Sequence, residues 1–254
     1  MKAVVLAGGK GARLAPYTKI LPKPLMPIGD MPILEIMLRQ MKRCCVNEVV
    51  LTVGHLASLL ATFFQDGSRL GMKISYVYED HPLGTAAPIA NVEGLDETFL
   101  VTNGDVLTTL SFPDLLRFHQ EKGGIATIAA HTRTVKIDFG VLQAGEDNVL
   151  TGYIEKPTYN FLVSMGVYVF EPRVLQYIPK NEYLDLPNLV LKLMEAGEQV
   201  NTYPFNGYWM DLGRVSDYEQ AIQDFDEIKP LLFGDQPVEN TPPVDLAAIF
   251  DITI

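Results

Sequence analysis

Four short apolar runs, Lys2 to Ala7, Glu48 to Val53, Lys73 to Tyr78 and Thr98 to Thr102, are separated by longer stretches of helical character. This alternation constrains the fold more than any other feature, because strands that are apolar on both faces have to be covered on both faces. The spacing predicts an α/β protein with a mostly parallel sheet under helices. In "HLASLLATFFQDG", Leu56, Leu59, Leu60, Phe63 and Phe64 follow the spacing of one helical face, which Gly67 ends, and they are assigned to the core. "SFPDLLRFHQEKGG" reads as a helix with Ser111 as N-cap and Pro113 in its first turn, and its His119 is placed on the solvated side. After about residue 125 the runs shorten to "GIATIAAHT", "FGVLQ", "VLTGYIE" and "MGVYVF", which predicts a mixed or antiparallel extension. Helical patterns return at Leu186 to Glu195 and Ser216 to Asp226, and Pro237, Pro242 and Pro243 mark an irregular tail. The chain shows no internal repeat.

At 254 residues the length suits one large domain, and no apolar run approaches the roughly 20 residues of a membrane span. "KAVVLAGG" is too short for a secretory segment, so the expected location is the cytoplasm, with no membrane partner. The adjacent Cys44 and Cys45 give neither a disulfide framework nor metal-ligand spacing and are read as structural. A net charge of −11 argues against a nucleic-acid partner. The charge is uneven. From Val215 to Ile254 nine acidic residues face the single Lys229, a net of −8, which leaves −3 for residues 1 to 214 and a body that is not hostile to an anionic substrate.

Loops at the carboxyl ends of strands line the usual crevice of an open α/β sheet. Gly8, Gly9 and Gly11 follow the first run directly, so backbone N–H groups can converge there on phosphate oxygens. Neither of two common phosphate loops fits: Lys10 is followed by Gly11 rather than Ser or Thr, and Leu14 stands where a dinucleotide fingerprint needs glycine or alanine. A plain turn is the alternative, since glycine often only punctuates loops.

"LAGGKGARLAPYTKILPKPLMPI" resembles the signature of the sugar-1-phosphate nucleotidylyltransferases, and "PLGTA", "NGD", "FGV", "EKP", "GVYVF" and "GYWMDLG" recur in that family's order over residues 1 to about 228. The resemblance implies a Rossmann-like α/β/α sandwich with a central mixed, mostly parallel sheet, and a catalytic domain of residues 1–228. Residues 229–254 remain as an acidic, proline-containing tail, with no C-terminal β-helix. It implies attack of a sugar 1-phosphate oxygen on the α-phosphorus of a nucleoside triphosphate with loss of pyrophosphate, a displacement governed by positioning and charge neutralisation. By the same resemblance Arg13, Lys23 and Asp105 are catalytic. Leu6, Ala7, Gly8, Gly9, Gly11, Glu79, Gly84, Thr85, Asn103 and Gly104 join Arg13 and Lys23 around the nucleotide. Gly140, Glu155, Lys156 and Ser164 take the sugar phosphate, although the family often has Asn near Ser164. Asp105 and Asp211 match its Mg²⁺ ligands, a role that hard carboxylate oxygens suit.

Glu79 stands where relatives that read a pyrimidine have glutamine. An ionised carboxylate only accepts hydrogen bonds, which suits the two adjacent donors of guanine and repels the carbonyls of uracil or thymine, so GTP is favoured over UTP or dTTP. A UTP- or dTTP-dependent glucose-1-phosphate enzyme is the alternative. A catalytically silent nucleotide-sugar sensor on the same fold is an alternative of another class, and the retained Arg13, Lys23, Asp105, Lys156 and Asp211 favour catalysis. The apolar stretch "VDLAAIFDITI" must pack on its own domain, on a second copy or on something else, and a symmetric homodimer is the default expectation.

Overall fold

A computed structural model describes residues 1–44 and 46–234. Strands β1 (Lys2–Ala7), β2 (Glu48–Val53), β3 (Lys73–Tyr78) and β4 (Phe99–Asn103) run parallel, β1 lying between β2 and β4. A short strand β5 (Val106–Thr108) follows β4, and helices α1 (Ile33–Arg43), α2 (Ala57–Phe64) and α3 (Phe112–Lys122) fall between and after these strands. The second half adds β6 (Ala126–Lys136), the pair β7 (Val141–Ala144) and β8 (Leu150–Ile154), β9 (Thr158–Phe170), α4 (Leu186–Glu195), β10 (Val200–Phe205), β11 (Trp209–Asp211) and α5 (Val215–Phe233). Seven strands form the central sheet in the order β10-β6-β9-β4-β1-β2-β3. Only β9 is antiparallel to its neighbours, which makes the sheet mixed and mostly parallel.

The period of two along β1 shows why the first runs are continuously apolar. Ala3, Val5 and Ala7 join the core layer under α1, α2 and α3, while Val4 joins the opposite layer with Leu186, Leu189 and Leu193 of α4. β2 repeats this, with Val49, Leu51 and Val53 on one side and Val50 on the other. A third cluster packs α5 through Ala221, Phe225 and Ile228 onto Leu14, Ile28 and Ile33, which ties the last helix to the segment after the glycine loop.

Three sequence expectations need correction. On α2 only Leu60 and Phe64 are buried, whereas Leu59 is 40% and Phe63 43% exposed. This short helix packs beside the edge strand β3, so one i, i+4 row reaches the core and the neighbouring row does not. His119 is 1% exposed rather than solvated: its Nδ1 lies 2.8 Å from Thr127 Oγ1 and its Nε2 3.0 Å from Glu171 Oε1. Its polar partners come from β6 and from the residue just past β9, out of sight of helical periodicity. Finally, "GIATIAAHT" and "MGVYVF" extend into the long strands β6 and β9, which pair from Ala126↔Phe170 out to Lys136↔Thr158 with a register shift between Ser164 and Tyr168. The β7–β8 hairpin sits at the far end of this ladder as a separate arm. The last helix continues past Asp226 to Phe233 with Pro230 inside it. Cys44 is half-buried against the main core, in keeping with a structural role. Cys45 and the tail residues on which self-association was expected lie outside the described residues.

Candidate active site

The loops that follow β1, β2, β3 and β4 surround a cavity of about 890 Å³. Each wall has a local cause. After β1 the chain turns at Gly11, whose φ of 60° is left-handed, and a Cβ there would lie 2.9 Å from Thr18 Cγ2 and 3.4 Å from Lys23 Cβ. Its carbonyl accepts from Leu14 N at 2.9 Å and from Thr18 Oγ1 at 2.8 Å, so the turn is folded onto the segment that carries Lys23. Gly8 packs against the loop after β3, where an added Cβ would come within 2.6 Å of Glu79 Oε1. Its carbonyl accepts from His55 N at 3.3 Å, joining the loops after β1 and β2. Gly104 N donates to Leu6 O at 2.9 Å and fixes the loop after β4 in the same way.

Lys23 occupies a single helical turn between Pro22 and Pro24 and is 8% exposed. Its Nζ donates to Asp105 Oδ2 and stands 3.6 Å from Asp211 Oδ1. The two carboxylates meet because β11 pairs with β5, with Asp211 opposite Val106, and because Leu212 N donates to Asp105 O at 3.2 Å. Arg13 closes the group: a Cβ on Gly213 would lie 3.1 Å from Arg13 Nη2 and 3.3 Å from Asp211 Oδ2. Burial pushes the Asp211 carboxyl above its ordinary range and the neighbouring Asp105 charge adds to this, against the pull of Lys23 and Arg13.

Asp105 Oδ1 is buried and has no hydrogen-bond partner among the described residues. A buried carboxylate oxygen left without a donor costs stability unless something positive meets it. With the raised Asp211 beside it, the pair supplies hard oxygen donors of the kind Mg²⁺ takes, so these residues fit that ion. Among the described residues no group of three or more His, Cys, Asp or Glu gathers as a metal centre, and the two carboxylates leave further positions to other oxygens.

At the other end of the cavity Glu79 is half-buried. Burial raises its pKa, opposed by the hydrogen bond it accepts from Leu83 N at 3.3 Å and by His81. Gly84, at φ 84°, presses on residue 184, where a Cβ would lie 2.5 Å from Leu184 O. Thr85 N and Oγ1 both donate to Asp185 Oδ1, at 3.0 and 3.1 Å, and Thr85 Oγ1 accepts from Leu186 N at 2.8 Å. The Thr85 hydroxyl is therefore engaged in capping α4.

All the residues expected around the nucleotide line this one cavity, Leu6, Ala7 and Asn103 included, together with Asp105. Those expected at the sugar phosphate do not. Gly140 packs so closely on Tyr153 that a Cβ would lie 2.2 Å from its hydroxyl, and that hydroxyl donates to Glu155 Oε2 at 2.9 Å. Lys156 Nζ stands 3.9 Å from Glu155 Oε1, with both side chains 59% exposed. Ser164 Oγ is 3.0 Å from Tyr168 Oη, within β9. Asp211 is not part of the cavity wall and reaches it through Lys23. Sequence reading missed Gly54, His55, His81, Tyr183 and Asp185, which also line the cavity. Gly54 and His55 directly follow β2, so the strand-end rule could have found them. Asp185 carried only the signal of a helix N-cap, a hundred residues from the loop it holds.

The fold and this cavity together define a class: an α/β domain with a glycine loop at the carboxyl end of its first parallel strand, and a carboxylate past the fourth that a short antiparallel ladder pairs with a second one. The chain belongs to the nucleotidyl transferase family, whose model matches residues 2–227. It is 33% identical over 243 residues to UTP–glucose-1-phosphate uridylyltransferase of Synechocystis sp., covering 88% of this chain and 63% of that protein. It is 34% identical over 230 residues to mannose-1-phosphate guanylyltransferase of Mycobacterium tuberculosis, covering 87% and 64%. The chain thus spans a little under two thirds of the length of these curated relatives. Among solved structures, HddC from Yersinia pseudotuberculosis complexed with GMP-PN superposes with a TM-score of 0.67 at 21% identity, over 88% of this chain and 99% of that one. A Bacillus anthracis protein assigned as a glucose-1-phosphate thymidylyltransferase, in complex with a sucrose, gives 0.71 at 22% identity, over 88% and 94%. At such identity these two speak for the fold alone.

Proposed function

We propose that this chain transfers a nucleotidyl group from a nucleoside triphosphate to a sugar 1-phosphate, releasing pyrophosphate. The observation that carries the reading is the convergence of the Gly8–Gly11 loop, Arg13, Lys23 and Asp105 on one cavity large enough for a nucleotide. The loop's backbone N–H groups and Arg13 hold triphosphate oxygens, and Lys23 faces the reacting phosphate, where fixed positive charge acts most strongly on charge that develops in the transition state. Asp105 and Asp211 hold Mg²⁺, which when bound neutralises phosphate oxygens. Lys156 and Glu155 meet the phosphate and hydroxyls of the sugar, with Gly140 and Ser164 beside the ring.

GTP is the favoured nucleotide, because an ionised Glu79 accepts from the ring N–H and amino group of guanine. The similarity to the mycobacterial guanylyltransferase supports this choice. UTP or dTTP is the second reading, on two observations: the similarity to the Synechocystis uridylyltransferase, and the burial that raises the Glu79 pKa. A protonated carboxyl can donate to a pyrimidine carbonyl. A matrix of nucleoside triphosphates against sugar 1-phosphates, read by pyrophosphate release with and without Mg²⁺, tests the assignment. Turnover of GTP at least tenfold better than UTP or dTTP supports the first reading. The reverse preference removes Glu79 as a guanine reader, and no turnover with any pair returns the chain to the sensor class.

A further inference from the structure

Sharing no residue with the catalytic cavity, a second cavity of about 420 Å³ is lined by Met31, Arg39, Lys42, Arg43, Arg69, Leu70 and Phe233. Its construction starts from one buried acid. Glu35, in the first turn of α1, is 4% exposed, and nothing apolar in its surroundings could keep a carboxylate charged. Two guanidinium groups do so. Arg39, one turn further along α1, donates Nε and Nη2 to Glu35 Oε1 at 3.0 and 2.7 Å, and Arg69 donates Nη2 to Oε2 at 2.7 Å. These contacts hold the Glu35 carboxyl below its ordinary range in spite of burial.

The consequence is felt by the arginines. Free arginine side chains lose much rotamer freedom on binding a ligand, but these two are already clamped on a buried partner. Arg69 is held further by the Phe63 ring, whose centroid lies 5.4 Å from its guanidinium carbon, which accounts for an exposed aromatic on α2. Among the described residues Arg39 Nη1 makes no hydrogen bond and Lys42 bonds only the neutral Asn47 Oδ1, at 2.8 Å. Arg43 is engaged by the carbonyls of Phe233 and Gly234 and serves as a wall. Among the described residues, and leaving Arg43 aside, Arg39, Arg69 and Lys42 set against Glu35 leave a surplus of two positive charges at the mouth, in a chain whose net charge is −11. Met31, Leu70 and Phe233 supply the apolar remainder.

We infer that this cavity binds a phosphomonoester with an apolar body. The phosphate carries close to two negative charges near neutral pH and three acceptor oxygens, which match the surplus and the planar donors of a guanidinium pair. A single carboxylate leaves one cation unanswered. The volume suits one small organic molecule. This site is separate from nucleotidyl transfer and does not depend on that reading.

The test uses the full chain and two probes that are neither nucleotide nor sugar phosphate: phenyl phosphate and inorganic phosphate. Phenyl phosphate is expected to slow amide exchange over residues 39–43 and 68–70, and to bind at least tenfold tighter than inorganic phosphate because its ring meets the apolar wall. Lys42→Met, which leaves the Glu35 clamp untouched, is expected to weaken it at least tenfold, and Arg69→Met to do the same, while Lys23→Met leaves it unchanged. Protection confined to the glycine loop overturns the inference, as does an unaltered affinity in Lys42→Met with a normal melting temperature. Phenyl phosphate that fails to bind the wild-type chain at millimolar concentration also overturns it.

Discussion

The two halves of the proposed site differ in how they are held. The nucleotide half is braced by main-chain bonds between loops far apart in sequence: Gly104 N to Leu6 O, His55 N to Gly8 O, Glu79 N to Val53 O. Apart from Ser164 on β9, the sugar half sits on the β7–β8 arm, where Gly140 packs on Tyr153, Tyr153 bonds Glu155 and Lys156 stands near Glu155, and Phe139 is 78% exposed. A braced site prepays its ordering cost, so damage there is expressed in turnover as well as affinity. A self-contained arm gives its residues no such support, and its losses should be confined to one substrate.

The largest effects should come from the braced half. Asp105→Asn is expected to keep the fold and remove most turnover, because an amide supplies no negative charge to a metal; unaltered kcat at saturating Mg²⁺ takes Asp105 out of that role. Lys23→Met should cost about 3 kcal/mol of transition-state stabilisation, the scale of one lost electrostatic donor. A rise only in the KM of one substrate makes Lys23 a binding residue instead. Next in size, Asp185→Ala frees Thr85 N and Oγ1 together, and KM for the nucleotide is expected to rise roughly tenfold, about 1.4 kcal/mol, with the KM for sugar phosphate unmoved. If both constants rise equally, the loop is not a separate support for the nucleotide.

A smaller effect sharpens the base assignment. Burial raises the Glu79 pKa, so the carboxyl sheds its proton, and with it the capacity to donate to a pyrimidine, only as pH climbs through that raised value. The ratio of GTP to UTP turnover should therefore increase with pH in the wild type and stay flat in Glu79→Gln. A ratio independent of pH in both proteins dismisses the carboxyl as the reader. Smallest of all, Lys156→Met on the arm should raise KM for the sugar phosphate while the melting temperature stays within a degree or so, since surface changes rarely exceed about 0.5 kcal/mol. A fall in kcat comparable with that of Lys23→Met would erase the distinction between the two halves.

The parallel strands and the glycine loop were legible because their signals are local: apolar runs of strand length, then residues suited to tight turns. Asp105 was legible for the same reason, standing directly after a strand. The pairing of Asp211 with it rests on the β5–β11 ladder, two three-residue strands a hundred residues apart, and came from the resemblance rather than from any pattern in the chain. His119 shows the converse failure. Helical spacing reports which side of a helix is apolar, and a histidine buried by hydroxyl and carboxylate partners on β6 and just past β9 leaves no trace in that spacing. The clamp of Glu35 between Arg39 and Arg69 was not read from the sequence: one arm is an i, i+4 pair on α1 that went unremarked, and the other depends on the short turn Ser68–Leu70 folding back over α1.

The β5–β11 ladder also dates the site within the life of the molecule. A chain emerging from the ribosome has its glycine loop, Lys23 and Asp105 once its first hundred or so residues are out, yet Asp211 and Gly213 arrive only after about as many again. Until then the Lys23 ammonium has one carboxylate in reach instead of two, and Arg13 lacks the glycine it lies against. The carboxylate pair is thus a late assembly step, completed almost together with the docking of α5, so a nascent or truncated chain that has formed its first four strands holds only half of it.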